Sequence, residues 1–280
     1  MTTQFIERIA VEVEGTGEDV LLIHGLGGTS NVWMPLMPLL ARHRTVRPDL
    51  PGSGRSARVE GPLSIDRFVQ AIQRVCAATH VERAHVIGHS MGTIVAFHLA
   101  VAMPRLVRSL ALFGPLLAPP DVARPGLAAR GEKARSEGAA GMQAIADTIV
   151  QGAMSGETRT RQPAAVAMVR ESLMRQCPDG YARSCDALAQ AQPADAAAIT
   201  CPTLMVTGDE DAVAPPQAVR AIGERISGAR VEILPRCGHW TTIEKPAECT
   251  DALRRFYARI SSPRSGEVPR RGGGEATWSR

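Results

Sequence analysis

Three side chains in this 280-residue sequence combine into one kind of chemistry: a serine, an aspartate and a histidine, in that order. Ser90 lies in Gly88-His89-Ser90-Met91-Gly92, a G-x-S-x-G pentapeptide. Asp211 closes Gly208-Asp209-Glu210-Asp211, and His239 sits in Gly238-His239-Trp240. A serine hydroxyl becomes a useful nucleophile when an imidazole takes its proton. The imidazole does so when a carboxylate fixes its tautomer and stabilises its charge. The glycines matter because the turn that pushes a serine oxygen clear of the backbone leaves no space for bulky neighbours. Taken alone, the pentapeptide reads equally well as a Gly/Ser turn, so its context decides.

That context is a strand, a turn and a helix. Residues 84–87 form an apolar run ending at a glycine, and residues 93–100 read as an apolar helix that stops before Met103-Pro104. Ser90 falls at the joint, where the helix N-terminus favours negative charge. Residues 20–23 are an unbroken apolar run, as expected of a strand buried on both faces, and lead into His24-Gly25-Leu26-Gly27-Gly28. The backbone N–H groups of Leu26 and Met91 are the candidate oxyanion hole. Asp211 is preferred to Asp209 as the histidine's partner because Ala212-Val213-Ala214-Pro215 gives it apolar surroundings. Each of the three follows an expected strand, and acids and bases at strand ends lie where α/β sheets place their sites. Trp240, next to the histidine, is a candidate pocket wall, and equally a core aromatic.

Further strands are expected at 44–49, 107–113, 203–207 and 230–234, with residues 5–14 as the first arm of a hairpin. Helices are expected at 65–79 and 246–260. Alternation of strands and helices argues for an α/β fold with a mostly parallel sheet covered on both faces. Between residues 115 and 198 the strand-like runs disappear. Short helices are expected there at 141–154, 164–176 and 181–190, making a helical cap inserted into a core of residues 1–114 and 199–260. Residues 261–280 are rich in Gly, Pro, Ser and Arg and are expected to be a disordered tail.

Composition narrows the partners. The net charge of +4 includes +2 from the tail, so the folded part is near neutral and carries no footprint for nucleic acid. The insert holds nine basic and nine acidic residues, so its charge alone does not argue for an anionic ligand. No run is long enough to span a membrane, and the N-terminus lacks signal-peptide character, which makes a cytoplasmic protein the expectation. The six cysteines show no C-x-x-C spacing, and neither they nor His80, His85 and His89 suggest a metal. Gly52-Ser53-Gly54-Arg55-Ser56-Ala57 matches G-x-G-x-x-A, but Arg58-Val59-Glu60-Gly61-Pro62 opens no helix behind it, so the dinucleotide fingerprint fails. The chemistry requires no cofactor, and a homo-oligomer is left open.

Together these segments resemble the α/β-hydrolase superfamily over residues 5–260, with Pro48 to Ser56 similar to its D-x-x-G-x-G-x-S loop. Within the superfamily, His24 to Thr29, Gly88 to Gly92 and Gly208 to Pro216 look most like 3-oxoadipate enol-lactonases of aromatic-compound degradation. That resemblance implies a serine hydrolase of small esters or lactones, with Ser90, Asp211 and His239 as its triad. Arg236-Cys237-Gly238-His239-Trp240 instead resembles C–C bond hydrolases of ring-fission products. Those usually carry Asn where His89 stands. A ligand receptor that keeps the fold without turnover is the third alternative.

Overall fold

A computed structural model describes residues 2–57 and 60–261 of the protein. Residues 262–280, nearly all of the expected tail, lie outside the described residues.

The apolar runs form a single sheet. Its strands are β1 (Thr2–Ile6), β2 (Ile9–Glu14), β3 (Asp19–Ile23), β4 (Arg44–Pro48), β5 (Ala84–His89), β6 (Val107–Phe113), β7 (Thr203–Gly208) and β8 (Arg230–Leu234). Their order is β1-β2-β4-β3-β5-β6-β7-β8. The β1–β2 and β2–β4 pairs are antiparallel, and the pairs from β4 through β8 are parallel. Residues 5–14, expected as one hairpin arm, are bent at Glu7, whose φ of 55° ends β1, so both arms come from this stretch.

Pleating explains why the central strands are apolar throughout. Leu21 and Ile23 enter one core with Val86, Leu110, Leu112 and Met205. Val20 and Leu22 enter the opposite core with Ile87, Ala111, Phe113, Leu204 and Val206. Successive side chains point to opposite faces, and both faces are covered. Helices α1 (Ile65–Ala78) and α2 (Met91–Ala102) cover the first face, and α9 (Pro246–Ser261) the second. Ser64 caps α1 by accepting from Arg67 N, and Phe68, Ile72 and Val75 recur at helical spacing on its buried side. A further helix, α7 (Pro216–Glu224), runs between β7 and β8.

The segment between β6 and β7 is helical. It holds α3 (Arg124–Ala153), α4 (Gly156–Arg161), α5 (Pro163–Met174) and α6 (Pro178–Ala189). α3 packs chiefly on α6 and α5. The expected helix at 141–154 is only the second half of α3. The chain is already helical from Arg124 and breaks its geometry at Gly138, where φ is 60°. The first half escapes a periodicity reading because Ala, Gly and Arg dominate it; only Leu127, Gly131 and Ala134 are buried.

Candidate active site

The residues singled out by type and order converge at the C-terminal ends of neighbouring strands. Leu26 follows β3, Ser90 follows β5, Asp211 follows β7 and His239 follows β8. Those strands run parallel, so the loops leaving them share one edge of the sheet.

Ser90 occupies a backbone conformation that few residues tolerate, with φ 52° and ψ −123°. Such a residue stores about 1–3 kcal/mol of strain. Packing outweighs it: Ile94, Val95, Phe97 and Leu99 of α2 are wholly buried, each worth about 1.5–3 kcal/mol. The turn itself is bonded at both ends. Ser90 N donates to Phe113 O at 3.0 Å, and Thr93 N donates to Ser90 O at 2.8 Å. Gly92 is required by close approach, since a Cβ there would lie 2.1 Å from Ile23 O.

Asp211 is held by donors rather than by apolar neighbours, which corrects the reason for expecting it. Its Oδ1 accepts from Val213 N and Ala214 N, both at 2.8 Å, and its Oδ2 accepts from Thr207 Oγ1 at 3.0 Å. His239 Nδ1 donates to Oδ2 at 2.9 Å. Burial alone would raise the Asp211 pKa, but the adjacent imidazole and these donors bring it down to about 2. An ionised Asp211 only accepts, so a proton lies on Nδ1, and in the neutral imidazole the lone pair is then on Nε2. That Nε2 is buried with no hydrogen-bond partner among the described residues. No Ser90–His239 hydrogen bond forms, but both side chains line one cavity; such bonds are often long before substrate binds. Asp209, the rejected alternative, instead accepts from Cys237 N at 3.2 Å.

Several buried groups that the sequence did not flag hold this geometry. His24 Nδ1 donates to Gly25 O and its Nε2 accepts from Leu50 N, both at 2.8 Å. Burial lowers its pKa and keeps it neutral. Glu244, in the short helix α8 (Thr241–Glu244), accepts from Ser155 N, Gly238 N and Trp240 N at 2.8, 3.1 and 3.0 Å. Its carboxylate thus clamps the backbone on both sides of His239. His239 N donates to Ala153 O at the end of α3. His89 Nε2 donates to His239 O at 3.0 Å. Burial first, then the nearby His239, pushes the His89 pKa down to about 3. Nothing in the spacing of Glu244 announces it; His24, next to the oxyanion-loop glycines, had a local signal.

Leu26 N and Met91 N find no acceptor among the described residues and are free to hold an oxyanion. The loop carrying Leu26 is tied to the helical insert. Ser172 Oγ and Gln176 Nε2 donate to Gly27 O at 2.8 and 3.1 Å, and Gln176 Oε1 accepts from Gly54 N at 3.1 Å. Trp240 proves to be both wall and core: it lines the cavity and is only 3% exposed, with its ring 5.1 Å from that of His89. The cavity measures about 440 Å³ and lies between the strand-end loops and helices α3 and α6. Among the described residues no cluster of His, Cys, Asp or Glu is arranged to hold a metal ion. No helix among them is long and apolar enough to cross a membrane.

Comparison with known proteins agrees with this architecture. The family described as "alpha/beta hydrolase fold" matches residues 20–246. A protein provisionally called carbamate hydrolase RutD, from Azorhizobium caulinodans, is 43% identical over 102 residues, which is 36% of this chain and only 38% of that protein. The 2-hydroxymuconate semialdehyde hydrolase of a Pseudomonas species is 28% identical over 91% of this chain and 92% of its own length. Among solved structures, the enol-lactonase from Burkholderia xenovorans superposes with a TM-score of 0.83 at 26% identity, covering 92% of this chain and all of that one.

Proposed function

The chain belongs to the α/β-hydrolase family, and on that footing we propose that it is a serine hydrolase of carboxylic esters or lactones, akin in reaction to 3-oxoadipate enol-lactonases. The observation that carries this reading is the Asp211–His239 pair: His239 keeps an Nε2 without a partner among the described residues and lines the same cavity as Ser90. His239 Nε2 takes the Ser90 proton as Oγ attacks the substrate carbonyl. The oxyanion is held by Leu26 N–H and Met91 N–H, each donor being worth about 3 kcal/mol. Collapse breaks the C–O bond, and the leaving oxygen takes the proton from Nε2. In a lactone that oxygen stays tethered to the acyl chain. Water, deprotonated by His239, then hydrolyses the acyl-enzyme and restores Ser90.

The segment Cys237 to Trp240 and the likeness to the semialdehyde hydrolase favour a second reading, cleavage of a C–C bond in a ring-fission product. A fluorophosphonate probe, with a panel of lactones, aryl esters, carbamates and ring-fission products, separates the readings. Labelling at Ser90 with turnover of lactones or esters supports the first, and turnover of ring-fission products alone supports the second. Full turnover by Ser90→Ala would falsify both.

A further inference from the structure

One stretch of the insert reaches past the cavity wall to the loop that carries Leu26. Residues 25–28 make a tight turn, closed by Gly28 N donating to Gly25 O at 3.0 Å. Of its two central residues only Gly27 takes a positive φ, 76°, the type II arrangement. Ser172 and Leu173 of α5, and Gln176 just beyond its end, cover this turn. Ser172 Oγ and Gln176 Nε2 donate to Gly27 O at 2.8 and 3.1 Å. Leu173, wholly buried, packs so closely that a Cβ on Gly27 would lie 2.3 Å from its Cδ2.

Gln176 is buried, and both ends of its amide are engaged. Its Nε2 also donates to Ser172 O at 2.8 Å, a carbonyl whose helical partner would be Gln176 N, which bonds Leu173 O instead. Its Oε1 accepts from Gly54 N at 3.1 Å. Carbonyls only accept and Gly54 N only donates, so the partners fix which way the amide faces. The bonds then pass from one peptide plane to the next. Gly27 O and Gly28 N belong to one rigid unit, so fixing the oxygen aims the N–H at Gly25 O. Gly25 O and Leu26 N belong to the unit it meets. The Leu26 N–H, a donor of the oxyanion hole, is therefore oriented from α5 through two peptide planes. The other donor, Met91 N, starts α2 in the core and takes no bond from the insert among the described residues.

We propose that Ser172 and Gln176 are positioning residues for the oxyanion hole, so that one of its two donors is set by the seating of the insert on the core. The inference rests on the serine-hydrolase reading and adds the insert to the machinery of the chemical step. Any lifting of the insert releases the Leu26 donor, which ties bond cleavage to the seated state.

The test measures kcat and KM for p-nitrophenyl acetate and p-nitrophenyl butyrate. Each kcat is expressed per Ser90 labelled by fluorophosphonate at completion, so that misfolded molecules are not counted. It is expected to fall about 3-fold in Ser172→Ala and about 10-fold in Gln176→Leu, equally for both esters and with KM unchanged. The double variant should lose about 10²-fold, close to the loss of one oxyanion donor. Inhibition by trifluoroacetone, whose hemiketal with Ser90 carries the oxyanion, should weaken by the same factors. Losses confined to KM, or trifluoroacetone inhibition unmoved in the double variant, overturn the proposal. Hydrogen exchange at the Gly28 amide supplies a readout independent of turnover. It is expected to be about 10-fold faster in the double variant, with β5 amides unaffected. Unchanged exchange at Gly28 also overturns the proposal. Should wild type hydrolyse neither ester and Ser90 resist fluorophosphonate, the serine-hydrolase reading fails instead, and the exchange measurement still decides whether α5 holds the turn.

Discussion

The strand-end loops and the helical insert face each other across one cavity, and they are built on different principles. Ser90, Asp211 and His239 each sit within a few residues of a strand end, and backbone bonds hold them, with Ser90 N donating to Phe113 O and His239 N to Ala153 O. Asp211, for example, is fixed by the amides of Val213 and Ala214. Arg130 and Tyr181 come instead from separate helices and meet only because α3 packs on α6. On the serine-hydrolase reading the loops carry the reaction, and the insert walls the cavity in which it happens. Substitutions in the loops should therefore scale all substrates together, whereas those in the insert should change the ratio between substrates.

Asp211→Asn is the severest test of the loop half. Its amide leaves His239 in the wrong tautomer, and kcat should fall about 10⁴-fold for every substrate. Unequal losses among substrates would collapse the distinction. Gly114→Ala comes next. Gly114 has φ 55°, and a Cβ there would lie 2.8 Å from the His239 ring. Displacing that ring should reduce kcat about 10²-fold, again uniformly, as measured under saturating substrate.

Gln176→Leu probes the seam. Gln176 belongs to the insert but bonds to the oxyanion loop at Gly27 O and to Gly54 N. Its loss should reduce kcat about 10-fold through the loop rather than alter substrate ratios, since about 1–3 kcal/mol of buried bonding is removed. A change in ratio with unchanged kcat would move Gln176 to the selecting half.

A separate effect concerns stability rather than rate. His89 stays neutral in the fold down to about pH 3, against a usual 6.5. Its depressed value contributes stability that is present above 6.5 and is lost as pH falls towards 3, by at most about 1.4 kcal/mol per pH unit. Asp211, lowered from 3.8 to about 2, adds a further loss, of about 2 kcal/mol, confined to that more acid interval. Urea midpoints of wild type and His89→Asn between pH 4 and 7 should diverge, the wild type falling more steeply on acidification. Parallel curves would show that His89 charges without cost.

How far the sequence reaches depends on the range of the interaction. The central strands were legible as apolar runs, and their burial on both faces follows directly from that pattern. The elbow was legible because the G-x-S-x-G spacing is a local signature, although the atom that demands Gly92 is Ile23 O of β3. The two-armed reading of residues 2–14 was missed because a single φ of 55° at Glu7 carries no strong residue signal. The first half of α3 was missed because its buried stripe holds one large apolar residue, Leu127, beside Gly131 and Ala134. Glu244 was invisible: it is four residues from Trp240 in sequence, but its partner Ser155 lies in the insert, between α3 and α4.

Local sequence determined the strands, through apolar runs that need only neighbours a few positions away, and it displayed the G-x-S-x-G spacing and the order of serine, aspartate and histidine directly. Tertiary structure decided which nitrogen of His239 is free, which backbone amides remain unbonded and which of nine insert cations faces the cavity. Those outcomes rest on the register of distant elements. The insert's overall charge balance hid that placement, because neutrality summed over a segment says nothing about which pairs are made in space. Arg124, Lys133 and Arg135 found their acids on the surface; Arg130, turned inward by the helical repeat, did not.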